Sequence, residues 1–314
     1  MTFETFGLHE AYKRVQKVGD HLSEFATLIE WDQFRPIFED LYHNNTSKGG
    51  RPNVDPIVMI KLLILQSLYN LSDPELERQV TDRISFRKFI GFKTEIPDFS
   101  TVWFFRERLI KSGKYQEVWN TFQAQLDLKG LKITRGVIQD ATIITADPGT
   151  PSSDTSRGKE AKTRRSKDGT WTKRGETPYF GYKFHALIDK ECHLIRRIDT
   201  TSASVHDSQV DLSMPDETVY RDKGYFGVKP RAAMNKTMKR AVRNHPLTIK
   251  EKRRNRAISR VRRVIERSFA VIKRTFHGDH FLVTTVERVH IKNMFSAFSF
   301  NLVQLMTLKR QGVW

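Results

Sequence analysis

Arg262, Glu266 and Lys273 are spaced at four and seven residues along the stretch Arg253 to Phe276. In a helix they project from nearly the same side. Glu266 is the single acid of that stretch, set among Arg253, Arg254, Arg256, Arg260, Arg262, Arg263, Arg267, Lys273 and Arg274. One carboxylate on the rim of a core, amid many cations, suits a metal-binding acid beside groups that hold phosphate. The plainer alternative is a solvated basic helix with one stabilising Arg–Glu pair. For a random charged helix that alternative is the better bet, so the question turns on carboxylates supplied by other elements.

Two such acids stand out. Asp140 lies within Gly136 to Ala146, a mostly apolar run rich in β-branched residues that suits a buried central strand. A charge there is costly unless it is paired or binds metal; an exposed strand edge is the competing explanation. Asp222 ends a short strand that starts at Thr218, before the turn at Gly224. Turn chemistry alone explains many an Asp before Gly. Strand with Asp140, two further strands, strand ending in Asp222, then helix with Glu266 is the order of an RNase H-like fold, in which three acids converge at one end of a mixed sheet. Hard Mg²⁺ or Mn²⁺ ions prefer such oxygens. Two of them can activate an attacking oxygen and stabilise a leaving one in phosphodiester chemistry.

The elements that must position these acids read as an α/β catalytic domain over 131–314, preceded by an all-α domain over 1–130. The helix carrying Glu266 has an apolar stripe at Ile258, Val261, Ile265, Phe269, Ile272 and Phe276. Strands are expected at Tyr182 to Ile188 and Leu194 to Thr200, joined by a turn at Asp189 to His193, with a possible last strand at Met238 to Val242 and a helix at Lys229 to Lys236. A C-terminal helix over Val289 to Leu308 should cover the sheet. Gly, Ser, Thr, Pro and many bases, Arg164 and Arg165 among them, make about 149–178 read as a mobile basic loop. Its Trp171 has the ring to stack on a base, though such a Trp more often packs locally. In the helical domain, Asn44 to Pro52 reads as a loop. Asp55-Pro56, Ser72-Asp73-Pro74-Glu75 and Asp98 each open a helix. Arg83, Arg87, Lys88, Arg106 and Arg108 have the charge to touch DNA or simply to be solvated.

Composition narrows the partners. The net charge of +18 and a pI near 10.0 point first to a polyanion, most simply DNA or RNA. Ile57 to Leu71, the most apolar run, is broken by Lys61, Gln66, Ser67 and Asn70 and falls short of the roughly 20 residues of a spanning helix. No membrane role is expected, and the N-terminus carries no signal-peptide pattern. The lone Cys192 excludes an internal disulfide and a Cys-based zinc site. A reducing cytoplasm, close to the nucleoid, is the expected location.

The motifs Val137-Ile138-Gln139-Asp140-Ala141-Thr142, Tyr220-Arg221-Asp222-Lys223-Gly224-Tyr225 and Arg262-x3-Glu266-x6-Lys273 resemble those of prokaryotic insertion-sequence DDE transposases of the insertion-sequence-five type. Gly181-Tyr182-Lys183 and His206-Asp207-Ser208 also match, as do Gly50-Arg51-Pro52, Leu71 to Leu76 and Asp98 to Thr101. The resemblance spans about residues 30 to 308. It implies that Asp140, Asp222 and Glu266 are a catalytic triad holding Mg²⁺ or Mn²⁺, two ions per site. It implies that Arg262 and Lys273 hold terminal DNA phosphates. Among the other bases of this chain, Lys223, Arg164, Arg165 and Arg256 are expected as further DNA contacts. The resemblance also implies double-stranded DNA partners, element ends and target, and a homodimer on DNA. One position departs: Ser259 stands where related signatures have Tyr. Two rival functions share the charge and the acids, namely a repurposed DNA-binding protein and an RNase H-like nuclease without strand transfer.

Overall fold

The computed structural model describes residues 3–42, 52–93, 95–149 and 165–314. The chain divides into two compact units, residues 1–131 with 301–314, and residues 132–300.

The first unit is helical throughout its described residues. Its helices are α1 (Phe3–Val18), α2 (His21–Ala26), α3 (Pro56–Tyr69), α4 (Asp73–Asp82), α5 (Ile84–Phe89), α6 (Phe99–Ser112) and α7 (Tyr115–Leu128), with a 3-10 segment at Trp31–Phe38. Local chemistry sets their starts. The Asp55 carboxylate accepts from Ile57 N with Pro56 at the first position, Ser72 Oγ accepts from Glu75 N, and Asp98 accepts from Thr101 N. α3 buries Ile57 to Ile60 and Leu62 to Leu65, so it is the core helix. Arg106, expected at the surface, is buried instead. Its guanidinium grips Asp73 at 2.9 and 2.7 Å, while Gln66 donates to the same carboxylate at 2.6 Å. Burial forces the charge to find a partner, and this pair ties α3, α4 and α6.

The second unit is a mixed sheet with covering helices. Its strands are β1 (Val137–Ala146), β2 (Thr170–Arg174), β3 (Thr177–Asp189), β4 (Ile195–Ser202), β5 (Thr218–Arg221), β6 (Met234–Thr237) and the short β7 (His280–Phe281). β1 lies between antiparallel β3 and parallel β5; β4 pairs with the far side of β3, and β6 runs parallel to β5. The central order is thus β4-β3-β1-β5-β6, the RNase H-like mixed sheet expected from the order of the acids. α8 (Ile249–Ala270) starts at a full Thr248–Glu251 capping box and runs into a π-helical turn, Val271–Thr275. α9 (Val286–Arg310) follows. Ile258, Ile265, Phe269 and Ile272 bury the stripe of α8, with Phe269 meeting Phe184 of β3 at 5.9 Å between rings. Gly181 lets β3 close on β1: its φ is 147°, and a Cβ there would stand 2.2 Å from Ile144 O.

Several expectations about this unit need correction. Of the loop expected over 149–178, residues 150–164, with Arg164, lie outside the described residues. Residues 170–174 and 177 onward are not loop but the β2–β3 hairpin. Thr170, Thr172 and Thr177 suit strands, and Trp171 packs on Phe180 at 5.4 Å. No helix forms at Lys229 to Lys236, because Met234–Thr237 pairs with β5. Met238 to Val242 is not a strand; Val242 only bridges to His245 in a tight turn. Asn44 to Arg51 also lie outside the described residues.

Candidate functional site

The alternation of β1 sends Ile138, Asp140, Thr142 and Ile144 toward one face. Asp140 there meets α8: Arg262 donates to its Oδ2 at 2.6 Å, across 122 residues of sequence. Asp222 follows the last residue of β5 and caps a 3-10 turn, Lys223–Tyr225, by accepting from Gly224 N. Behind that turn Arg221 is wholly buried and donates to Thr237 Oγ1 at 3.0 Å and Val228 O at 2.8 Å. Glu266 sits exposed on α8, one turn beyond Arg262. Asp140, Asp222 and Glu266 line a single cleft of about 540 Å³.

Arg262 and Lys273 line the same cleft. Lys273 stands in the π-helical turn and donates to Ile143 O of β1. Burial lowers its pKa. Of the other expected DNA contacts, Lys223, Arg256 and Arg165 lie outside the cleft lining. Lys223 and Arg256 are exposed, and Arg165 lies 6.0 Å from the Phe180 ring. Ser259 is exposed on α8.

The cleft also holds groups that the sequence reading gave no role. Lys183 of β3 pairs with Asp207 at 2.7 Å and donates to Val205 O at 2.7 Å. Both residues belong to motifs quoted for the resemblance, Gly181-Tyr182-Lys183 and His206-Asp207-Ser208, yet only the fold brings the two motifs together. Thr172, Lys173 and Arg174 of β2 form another part of the lining. Their contribution was hidden by reading their segment as loop.

Asp140 carries the electrostatic signature of the site. Burial pushes its carboxyl up to about 6; Arg262 pulls the other way, and the neighbouring Asp222 and Asp207 add to the rise. The 2.6 Å pair with Arg262 argues for the ionised form, and burial with two nearby acids argues against it. Both hold for a carboxylate poised near neutrality. The donor set of aspartates and a glutamate suits a hard divalent cation. Among the described residues, however, no three His, Cys, Asp or Glu side chains stand close enough to hold an ion as they lie. Arg262 donates to Asp140 Oδ2 and Ala141 N to its Oδ1 at 3.0 Å, so both oxygens of that carboxylate are engaged. The residues fit a cation by donor chemistry and do not form a closed ligand set.

The chain matches the family described as Transposase DDE domain over residues 132–302, more than half of its length. Residues 9–108 match the family described as Transposase domain (DUF772). No solved structure matches the chain. No helix among the described residues is long and apolar enough to cross a membrane.

Proposed function

Since the chain belongs to the Transposase DDE domain family, we propose that it is a transposase of the insertion-sequence-five type that cuts DNA at the terminal inverted repeats of its own element and joins the freed 3′-hydroxyl to target DNA. One observation carries this reading: Asp140, Asp222 and Glu266, from β1, the end of β5 and α8, share a cleft with Arg262 and Lys273.

Each residue then has a task. Asp140, Asp222 and Glu266 would hold Mg²⁺ or Mn²⁺, two ions per site. When bound, the ions activate the attacking oxygen and stabilise the leaving one. Water is the nucleophile in hydrolysis, and the liberated 3′-hydroxyl is the nucleophile in joining, so no residue forms a covalent bond to DNA. Arg262, with its planar fork, holds a phosphate by two hydrogen bonds, and Lys273 adds a point charge. Lys173 and Arg174 of the β2–β3 hairpin bear on the same strand. The pair of Arg262 with Asp140 would make binding an exchange: a cation would compete with Arg262 for Asp140, and a phosphate would compete with Asp140 for Arg262. Lys223, Arg165 and Arg256, exposed outside the cleft, serve DNA further from the scissile bond. Two copies, one per element end, make a working homodimer, at the nucleoid where the substrate is.

The test is incubation with a labelled duplex carrying the element's terminal repeat, with Mg²⁺ and a target plasmid. Strand cleavage followed by covalent joining supports the reading. Cleavage without joining points to a nuclease, and binding without cleavage points to a repurposed DNA-binding protein.

A further inference from the structure

The Asp222–Tyr225 turn has a cavity on each side of it. Asp222 lines the catalytic cleft, whereas Tyr225 lines a second pocket of about 340 Å³ that shares no residue with the first. That volume lies within the range of small-ligand pockets, about 300–1,000 Å³.

The second pocket has a defined chemistry. Its charged lining residues, Lys229, Lys239 and Arg254, are all cations. Phe226 forms an apolar wall of the pocket and is 39% exposed. The Lys239 ammonium stands 5.7 Å from the centre of that ring. Asn235 spends its carbonyl oxygen on Thr237, accepting from its N at 2.9 Å and from its hydroxyl, and so keeps its amide hydrogens for another acceptor.

The frame around these groups is fixed. Arg254 of α8 donates to Thr237 O at 2.7 Å. Asn255 grips the Lys239 backbone in both directions, at 2.9 and 2.8 Å. The buried Arg221 holds Val228 O and Thr237 from behind. The polar and aromatic groups are thus presented on an ordered scaffold.

An exposed aromatic face, three cations and an amide donor are complementary to a single unpaired nucleotide: phosphate on the cations, base on the ring, base edge on the amide. We propose that this pocket is a second nucleic-acid site, which takes one unpaired nucleotide of the DNA strand whose neighbouring part occupies the cleft. The inference rests on the DNA-cutting reading above. Because one turn walls both cavities, a strand seated in the pocket would also fix the Asp222 turn.

The test uses the full chain and two labelled duplexes of the same sequence, one blunt and one with a short oligothymidine tail, followed by fluorescence anisotropy at fixed salt. Wild-type protein should bind the tailed duplex about tenfold more tightly, the scale of one base stacked on an aromatic ring. Phe226→Leu, which keeps an apolar side chain without a ring face, should abolish that gain and leave blunt-duplex binding unchanged. Phe226→Trp should retain it. A tail preference that survives Phe226→Leu overturns the proposal, as does wild-type protein that binds both duplexes equally. Failure to bind either duplex overturns the DNA reading itself, and is distinct from both.

Discussion

Arg106 meets Asp73 at 2.7 Å in the helical unit, and Arg262 meets Asp140 at 2.6 Å in the sheet unit. The two arginines are 6% and 9% exposed, and both aspartates are 18% exposed. By distance and burial the pairs are twins. Their surroundings differ. Arg106 binds both oxygens of Asp73, and Gln66 bridges the two partners. Arg262 binds one oxygen of Asp140, its Nε has no partner, and Asp222 and Asp207 crowd the same carboxylate. The first pair is saturated and has nothing to exchange. The second leaves the Arg262 Nε unmet and faces a cleft, so on the proposed reading an incoming cation and an incoming phosphate would each take one of its members. A short buried ion pair therefore says little by itself; what matters is whether its remaining donors and acceptors are met.

The contrast can be broken most severely at the chemistry. Glu266→Gln should lower cleavage by about a thousandfold or more, since a lost metal ligand removes several kcal/mol of transition-state stabilisation. The urea midpoint should hardly move, because Glu266 is exposed; single-turnover cleavage and urea denaturation measure the two. In the other unit, Asp73→Ala should cost about 3–5 kcal/mol of stability by stranding Arg106, read as loss of the denaturation midpoint.

A smaller effect comes from His185, which is fully buried on β3 beside Thr201. Burial lowers its pKa from 6.5 to about 4. The unfolded chain then binds the extra proton between those values, so stability is complete above about pH 6.5 and falls as the pH drops toward 4, by about 3 kcal/mol. His185→Gln should flatten that part of the stability–pH curve in chemical denaturation. A smaller change in stability than at Asp73 or His185 is expected at Arg262. With Arg262→Ala, Asp140 can take a proton, and for a group titrating near 6 that costs at most about 1.4 kcal/mol at pH 7. Cleavage should nevertheless collapse, while Ser259→Ala stays within about 1 kcal/mol of wild type in the same assay. A stability loss at Arg262 as large as that at Asp73 would erase the distinction between the two pairs.

Much of this was legible in the sequence wherever the cause is local. The caps at Asp55, Ser72 and Asp98 act within three residues, and the stripe of α8 is a matter of spacing. The RNase H-like order followed from where β-branched runs and acids fall along the chain. Long-range causes were not legible. The sequence reading offered Arg262 a partner one turn away, Glu266, whereas its partner is Asp140 on another element. The β2–β3 hairpin looked like linker because Trp171 and Phe180 stabilise each other only once paired. β6 was read as helix because Met234 to Thr237 carries little strand propensity, and its pairing with β5 decides the matter. The meeting of Lys183 with Asp207 was invisible for the same reason.

The π-helical turn at Val271–Thr275 bears on how this protein can change by insertion and deletion. Phe276 N reaches back five residues to Val271 O at 3.1 Å, so this turn holds one residue more than an α-helical turn. A one-codon deletion here would restore regular helix and be absorbed without breaking the chain's course. A one-codon deletion in the regular helix between Glu266 and Val271 has no such slack: it would rotate Lys273 by about 100° relative to Glu266. Codons are therefore expendable inside the π-helical turn and not in the helix before it.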